Sequence, residues 1–293
     1  MLSRGVAVNW REYEKEIADF FQSQYPSAQI TPNAALKGKF SGVDRQIDLL
    51  IEEQVDDYPL RTVVDAKYWK KRIDVGDVEA FLGFLRDVDA GQGVMISMKG
   101  YTRGAIRRAH YDDLELDLEV LNFDELKSLQ GFVAIPYAGE HGVVLPAPLG
   151  WVIDAARRPD MVACLFQRGF GLVGAAKARE FMYLNFWSKD ETFPDLQSLL
   201  DHQERSIREE FPDAVIEYSD SVERKNAKTK LRSMKIKTYP APEYTGFVEF
   251  KDFIFFCVLF TPAELEKKNL RKLRHVIRRV LPLGVKHARP RQG

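Results

Sequence analysis

Two apolar runs, RQIDLLI at residues 45–51 and RTVVDAK at residues 61–67, flank the polar cluster EEQVDDYP at residues 52–59. Apolar, β-branched-rich runs on either side of a turn-forming cluster are typical of a β-hairpin. Each predicted strand carries an aspartate, Asp48 or Asp65, where a buried strand would favour an apolar residue. The two runs therefore predict a hairpin with a concentration of negative charge.

The position of the turn determines which residues of the hairpin face each other. If the tip lies at Asp56-Asp57, midway between the runs, Asp48 lies opposite Asp65, with Cα atoms about 4.5–5.5 Å apart. Two carboxylates at that distance repel each other unless a cation lies between them. Lys67 follows Asp65 by two residues and points to the same face. This pattern predicts a divalent metal site beside a lysine, which suits hydrolysis of a phosphodiester.

The pattern Asp48…Asp65-Ala66-Lys67 resembles the PD-(D/E)xK nuclease superfamily. Its continuation, YWKKR at residues 68–72 and DVEAF at residues 77–81, is similar to the Mrr-type restriction endonuclease catalytic domain. The resemblance extends over roughly residues 10–125. It implies a restriction-endonuclease-like fold and a hydrolase that cleaves DNA with Mg²⁺ or Mn²⁺ as cofactor.

Roles for the site residues follow from the hairpin and the resemblance together. Asp48, Asp65 and the backbone carbonyl of Ala66 are predicted metal ligands, because oxygen donors suit Mg²⁺. Lys67 is predicted to orient the attacking water or to hold the phosphate by its charge. The resemblance implies a further catalytic residue on the first helix, Glu14, for which a solvated surface charge is the alternative.

A purely structural arrangement of the same hairpin residues stays open. In it, Asp48 and Lys67 form a diagonal salt bridge across the strands, and Asp65 is an exposed charge at an edge. The sequence also departs from the resembled family, which often has glycines before the first acid and Glu or Gln as the second. Here the lead is DRQI at residues 44–47 and the second acid is Asp65, a residue that the superfamily pattern permits.

Basic residues close to the hairpin are the candidates for contacts with DNA. The run YWKKR mixes cations with aromatic side chains, as surfaces that follow a phosphate backbone do. A solvated strand exit is the alternative. A second basic patch extends from Lys99 to Arg108 along a short helix. The predicted DNA-binding residues are Trp69, Lys70, Lys71, Arg72, Arg103 and Arg107.

Hydrophobic periodicity predicts a first domain at residues 1–130 with the order α-β-β-β-α-β-α-β. Its fold class is α/β (α+β), with a mixed central sheet flanked by helices. Helices are expected at residues 9–25, at 75–88, from Thr102 to about residue 112, and in a closing turn at 124–129. Residues 28–36 are expected to form a strand at the sheet edge, because they contain Pro32.

Glycine and proline become frequent after residue 130, which predicts a linker at residues 131–150. Residues 151–293 are predicted to form a second α+β domain, an antiparallel sheet with helices at 194–210 and 262–281. This half is similar to a PsbP-type fold. It could bind a protein or nucleic-acid partner.

The composition is that of an ordinary globular protein, with 293 residues, 45% hydrophobic, 29% charged and no formal net charge. Its apolar runs are far shorter than the ~20 residues that span a bilayer. Its two cysteines and five histidines have no zinc-ligand spacing. These features indicate a cytoplasmic protein without a membrane partner.

The expected function is that of a Mg²⁺-dependent DNA endonuclease in restriction and defence against foreign DNA. A homodimer is compatible with this expectation. Two other functions stay open. One is a nuclease-like module that binds DNA or protein without cleaving it. The other is a structure-specific nuclease of DNA repair or RNA processing.

Overall fold

A computed structural model describes most of the chain. The described residues are 15, 17–19, 21–22, 25, 28–55, 58–67, 71–97, 99–112, 117–122, 132–136, 141–156, 158–159, 161–219, 224, 227–239 and 241–284. The chain divides into two units, Met1–Leu129 and Gln130–Gly293. The two units form separate sheets and separate hydrophobic cores.

The first unit is built on a five-stranded mixed sheet. Its strands lie side by side in chain order: β1 (Gln29–Lys37), β2 (Asp44–Val55), β3 (Tyr58–Lys67), β4 (Gln92–Ser97) and β5 (Asp117–Asn122). The pairs β1–β2 and β2–β3 are antiparallel, whereas β3–β4 and β4–β5 are parallel. The predicted fold class, a mixed central sheet with flanking helices followed by an α+β unit with an antiparallel sheet, is confirmed.

The hairpin of β2 and β3 has the predicted register. Its paired residues run from Val55 opposite Tyr58, next to the tip, to Leu49 opposite Val64. Both strands are interior to the sheet. Strand β1 lies at the edge, as predicted, where the missing N–H of Pro32 is tolerated. Buried Leu50 and Val63 anchor the hairpin in the core.

Two helices of this unit pack on the sheet and have clear start signals. Helix α1 (Val75–Asp87) begins at a capping box between Asp74 and Asp77, and helix α2 (Arg103–His110) begins at Thr102, which accepts the Ala105 N–H. The buried face of α1 includes Val78, Phe81, Leu82 and Leu85. In the predicted helix at 9–25, the described residues 15, 17–19 and 21–22 are helical. The predicted closing turn at 124–129 lies outside the described residues.

The second unit contains a seven-stranded antiparallel sheet in the order β11-β12-β13-β14-β10-β9-β8. These strands are β8 (Trp151–Asp154), β9 (Ala163–Gln167), β10 (Phe181–Ser188), β11 (Val215–Ser219), β12 (Lys228–Lys235), β13 (Glu243–Glu249) and β14 (Phe253–Phe260). Its helices are α3 (Leu172–Ala178), α4 (Leu196–Glu210) and α5 (Glu266–Arg279), the last preceded by a 3₁₀ turn (Ala263–Leu265).

The structure differs from the predicted linker at residues 131–150. Within that range β6 (Phe132–Pro136) and β7 (His141–Pro146) pair with each other, and β15 (Leu281–Gly284) completes a three-stranded sheet. The prolines that suggested a linker close the two strands, where a missing N–H is tolerated. Buried Ile135, Val143 and Leu145 make this stretch part of the second core. No helix in the described part of the chain is long and apolar enough to cross a membrane.

Candidate active site

Asp48 and Asp65 meet where the hairpin stops pairing. The ladder ends at Leu49–Val64, and Asp48 and Asp65 are the next residues on each strand. At this point the carboxylate of Asp48 replaces a backbone partner, because its Oδ2 accepts the Ala66 N–H at 2.8 Å. This hydrogen bond holds the Asp48 side chain across the gap beside Asp65.

Lys67 is held against Asp65. Its Nζ lies 2.8 Å from Asp65 Oδ2, and the two side chains are 26% and 18% exposed. The alternative in which Asp65 is an exposed edge charge is therefore wrong, since β3 lies inside the sheet and Asp65 is mostly buried. The structure thus brings Asp48, Asp65 and Lys67 together, with a carboxylate in excess over the cation.

The surroundings of Asp65 favour its neutral form. Burial raises the pKa of the Asp65 carboxyl from 3.8 to about 6; the charge of Lys67 opposes this rise, and the carboxyl of Asp48 adds to it. A cation that binds between the two acids offsets both the cost of burying a charged carboxylate and the repulsion between the two carboxylates. The unusual pKa is therefore consistent with a cation site.

A cavity of about 310 Å³ opens beside these groups. Asp48, Asp65 and Lys67 line it together with residues from the start of β2, from β3 and from helix α1. Those further lining residues are Arg45, Gln46, Ile47, Val63, Val64, Asp77, Ala80, Phe81 and Phe84. An open space of this size next to paired carboxylates gives a substrate access to them.

The donor set suits Mg²⁺ but is small. Two carboxylates and the adjacent Ala66 carbonyl are oxygen donors, and Mg²⁺ commonly takes one or two carboxylates and keeps several waters. Among the described residues, no group of three or more His, Cys, Asp or Glu side chains is placed to hold a metal ion. Glu14, the predicted further acid, lies outside the described residues.

The predicted DNA-binding residues divide into three sets. Trp69 and Lys70 lie outside the described residues, while Arg72, Arg103 and Arg107 are exposed. Lys71 is also exposed, but its Nζ lies 3.3 Å from Asp77 and 3.5 Å from Asp74.

The basic patch from Lys99 to Arg108 is smaller than its sequence suggests. Arg108 is a structural residue, because its guanidinium binds Glu79 at 2.7 Å and lies 3.5 Å from Asp112. Arg103 and Arg107 of helix α2 stay exposed. The prediction of a cationic surface is thereby narrowed to these two residues and Lys99.

Sequence reasoning missed Arg45 as a member of the site. Residues 44–47, just before Asp48, were noted only as a departure from the family pattern, although Arg45 lines the cavity. Arg45 owes its position to Phe84 and Asp87 on helix α1. Those partners are distant along the chain, so no local signal could have revealed the contact.

One family model matches the unit that contains this sheet and cavity. Residues 6–129 match the Mrr_cat restriction endonuclease family. The match confirms the predicted Mrr-type resemblance and supports a nuclease domain in the first unit. This Mrr-type domain contains the hairpin, helix α1 and the cavity between them.

Solved structures show likenesses at low identity, and no curated protein matches the chain. Cyanobacterial PsbP (CyanoP) from Synechocystis sp. PCC 6803 is 10% identical over 49% of this chain and 93% of its own, with a TM-score of 0.35. Protein VC1899 from Vibrio cholerae is 22% identical over 41% and 32%, with a TM-score of 0.31. MspJI restriction endonuclease, in complex with a 27-mer oligonucleotide, is 16% identical over 40% and 27%, with a TM-score of 0.28. The PsbP-type likeness of the second unit stays a prediction.

Proposed function

We propose that the Mrr-type domain is a Mg²⁺-dependent DNA endonuclease of the PD-(D/E)xK type that serves restriction of foreign DNA. One observation carries the proposal: Asp48 and Asp65 converge with Lys67 at the unpaired end of a hairpin, beside an open cavity. A fold has little reason to place two acids there unless a cation balances them.

Each residue has a defined part in this proposal. Asp48 and Asp65 would hold the metal with the Ala66 carbonyl, and Glu14 would contribute a further acid, as the resemblance implies. The bound metal would lower the pKa of a water and neutralise charge on the phosphate. The Ala66 N–H keeps Asp48 turned towards the site. Lys67 stays within reach of Asp65 and presents its charge to the phosphate or to the attacking water.

The path of DNA in this proposal follows the basic residues around the hairpin end. Lys71, Arg72, Arg103 and Arg107 are exposed cations that could contact phosphates, and Trp69 and Lys70 would extend this surface. Contacts of this kind position a duplex without reading its sequence. The recognised sequence therefore depends on other parts of the protein.

The test is cleavage of methylated and unmethylated plasmid by the full chain with Mg²⁺, Mn²⁺ or EDTA. We expect cutting with either metal, none with EDTA, and none by Asp48→Asn. Asp44→Asn is the matched control, because Asp44 is an exposed acid on the same strand, outside the cavity lining. Equal cutting by Asp48→Asn and the parent would rule out the proposal.

Binding without cleavage is a second candidate that one observation favours. In the described part of the site no third acidic side chain joins Asp48 and Asp65 as a metal ligand, and Asp65 is already paired with Lys67. A binding module predicts that calorimetry detects no Mg²⁺ binding, and that plasmid, branched DNA and RNA all stay intact while DNA is retained in a gel-shift assay.

A further inference from the structure

Arg45 is a second cation in the cavity that holds Asp48, Asp65 and Lys67. It lies three residues before Asp48 on β2, about 10 Å along the strand. Its side chain is 33% exposed, so part of the guanidinium is open to a ligand. A positive group at this distance is outside the immediate metal site but inside the same cavity.

Helix α1 fixes the orientation of this guanidinium. The Arg45 Cζ lies 4.7 Å from the centre of the Phe84 ring, and Nε lies 3.5 Å from Asp87 Oδ2. Stacking on an aromatic face suits arginine, because its guanidinium is planar. One face of Arg45 is therefore covered, and the plane of its N–H groups is set before a ligand arrives.

The contact of Arg45 with Asp87 is electrostatic rather than a hydrogen bond. Asp87 Oδ1 accepts the N–H groups of Phe40 at 3.0 Å and Ser41 at 2.9 Å, and Oδ2 accepts the Ser41 hydroxyl at 2.6 Å. The Arg45 contact at 3.5 Å is longer than an N–H···O hydrogen bond. Among the described residues, Arg45 Nε has no hydrogen-bond acceptor. Asp87 thus attracts Arg45 by charge, while its carboxylate oxygens accept hydrogen bonds from the β1–β2 loop.

We propose that Arg45 binds a backbone phosphate of the DNA close to the one that is cleaved. This inference rests on the proposed function of the Mrr-type domain. A guanidinium held by one face can offer two parallel N–H groups to a phosphate, the geometry that favours arginine over lysine. With about 3.4 Å of helix axis per nucleotide of a strand, a 10 Å separation places the bound phosphate within about three nucleotides of the cleaved bond.

The experiment compares Arg45→Gln with Arg61→Gln in the full chain. Arg61 is a matched control, since it lies on the partner strand β3, is 35% exposed and pairs with Glu52 at 3.0 Å, outside the cavity lining. Binding of a short fluorescent DNA duplex is measured in EDTA over a series of salt concentrations, and cleavage is measured with Mg²⁺. Circular dichroism checks that each variant is folded.

For Arg45→Gln we expect roughly tenfold weaker DNA binding and a salt slope smaller by about 0.9, the loss of one phosphate contact. In cleavage, KM rises by a similar factor and kcat changes little. Arg61→Gln behaves as the parent. Arg45→Lys, a second variant if Arg45→Gln does not fold, keeps the parental slope but binds severalfold more weakly, because it lacks the paired N–H geometry.

The outcomes separate this inference from the proposed function. Cleavage by the parent with an unchanged salt slope and KM in Arg45→Gln overturns the role of Arg45 alone. Loss of slope in Arg45→Gln, when the parent binds DNA but does not cut it, supports the phosphate contact and rejects the nuclease. A parent that neither binds nor cuts DNA rejects both.

Discussion

Two lysine–carboxylate pairs in this protein have the same geometry and opposite surroundings. Lys67 lies 2.8 Å from Asp65 in the Mrr-type domain, and Lys189 lies 2.8 Å from Glu249 in the second unit. Asp65 has a second acid beside it, Asp48, whereas Glu249 has a second lysine, Lys228, at 4.0 Å.

The difference between the two pairs lies in whether negative charge is left over around the lysine. At the hairpin end, two acids and one lysine leave a net negative charge that a metal cation can neutralise. At Glu249 two lysines face the carboxylate and also interact with Asp195, so no negative charge is left over, and Glu249 serves as the partner of a lysine that is mostly buried. An ion pair by itself therefore indicates no function; the charge left over around it, together with access to a cavity, does.

The largest expected effect is on the cleavage rate, which should depend on Lys67 and not on Lys189. Replacing Lys67 by Met is expected to lower the cleavage rate about 10³-fold or more, a barrier increase of about 4 kcal/mol, because the lysine charge no longer faces the phosphate or the attacking water. Lys189→Met should cut DNA like the parent. Single-turnover cleavage of plasmid under saturating Mg²⁺ measures both, and similar losses in the two variants would remove the distinction.

The two acids should have opposite effects on stability. At pH 8 without metal, Asp65→Asn should stabilise the fold by about 3 kcal/mol at most, since it removes a carboxylate whose pKa burial raises from 3.8 to about 6. Glu249→Gln should destabilise it by about 1–3 kcal/mol, because Lys189 loses its charged partner. Urea unfolding in EDTA gives both values.

The pH dependence of stability is a control for the predicted stabilisation by Asp65→Asn. The carboxyl of Asp65 has a folded pKa of about 6, above the ordinary 3.8, so its cost is complete above pH 6 and disappears as pH falls towards 4. The stabilisation by Asp65→Asn should shrink over that window. A gain that stays constant from pH 8 to pH 4.5 would contradict burial of an ionised Asp65.

Metal binding should depend on pH in the same range. Below pH 6 a proton competes with the cation for Asp65, so the apparent affinity for Mg²⁺ should fall by up to tenfold per pH unit, about 1.4 kcal/mol. Calorimetric titration between pH 5 and pH 8 checks this. An Mg²⁺ affinity that does not change with pH would show that Asp65 does not bind the metal.

The smallest effect is expected from the outer lysine of the second pair. Lys228 is 80% exposed and 4.0 Å from Glu249, so Lys228→Ala should change the free energy of unfolding by less than about 0.5 kcal/mol. Thermal unfolding at low and high salt measures it. A larger loss that salt removes would show that both lysines hold Glu249.

Local patterns were sufficient for much of the Mrr-type domain. The hairpin register followed from the polar tip and two apolar runs, and helix α1 followed from Asp74 and its apolar spacing. Both depend on residues near one another in sequence. The stretch at 131–150 was misjudged because glycine and proline also suit a short hairpin, and its third strand, β15, comes from the far end of the chain.

The sequence by itself determined that Asp48, Asp65 and Lys67 share one end of one hairpin, because strand alternation and turn position are local properties. Only the tertiary structure decided the rest. The packing of helix α1 against β2 brings Arg45 onto Phe84 and forms the cavity, and burial raises the pKa of Asp65. Contacts and desolvation of this kind depend on residues far apart along the chain, which no local pattern encodes.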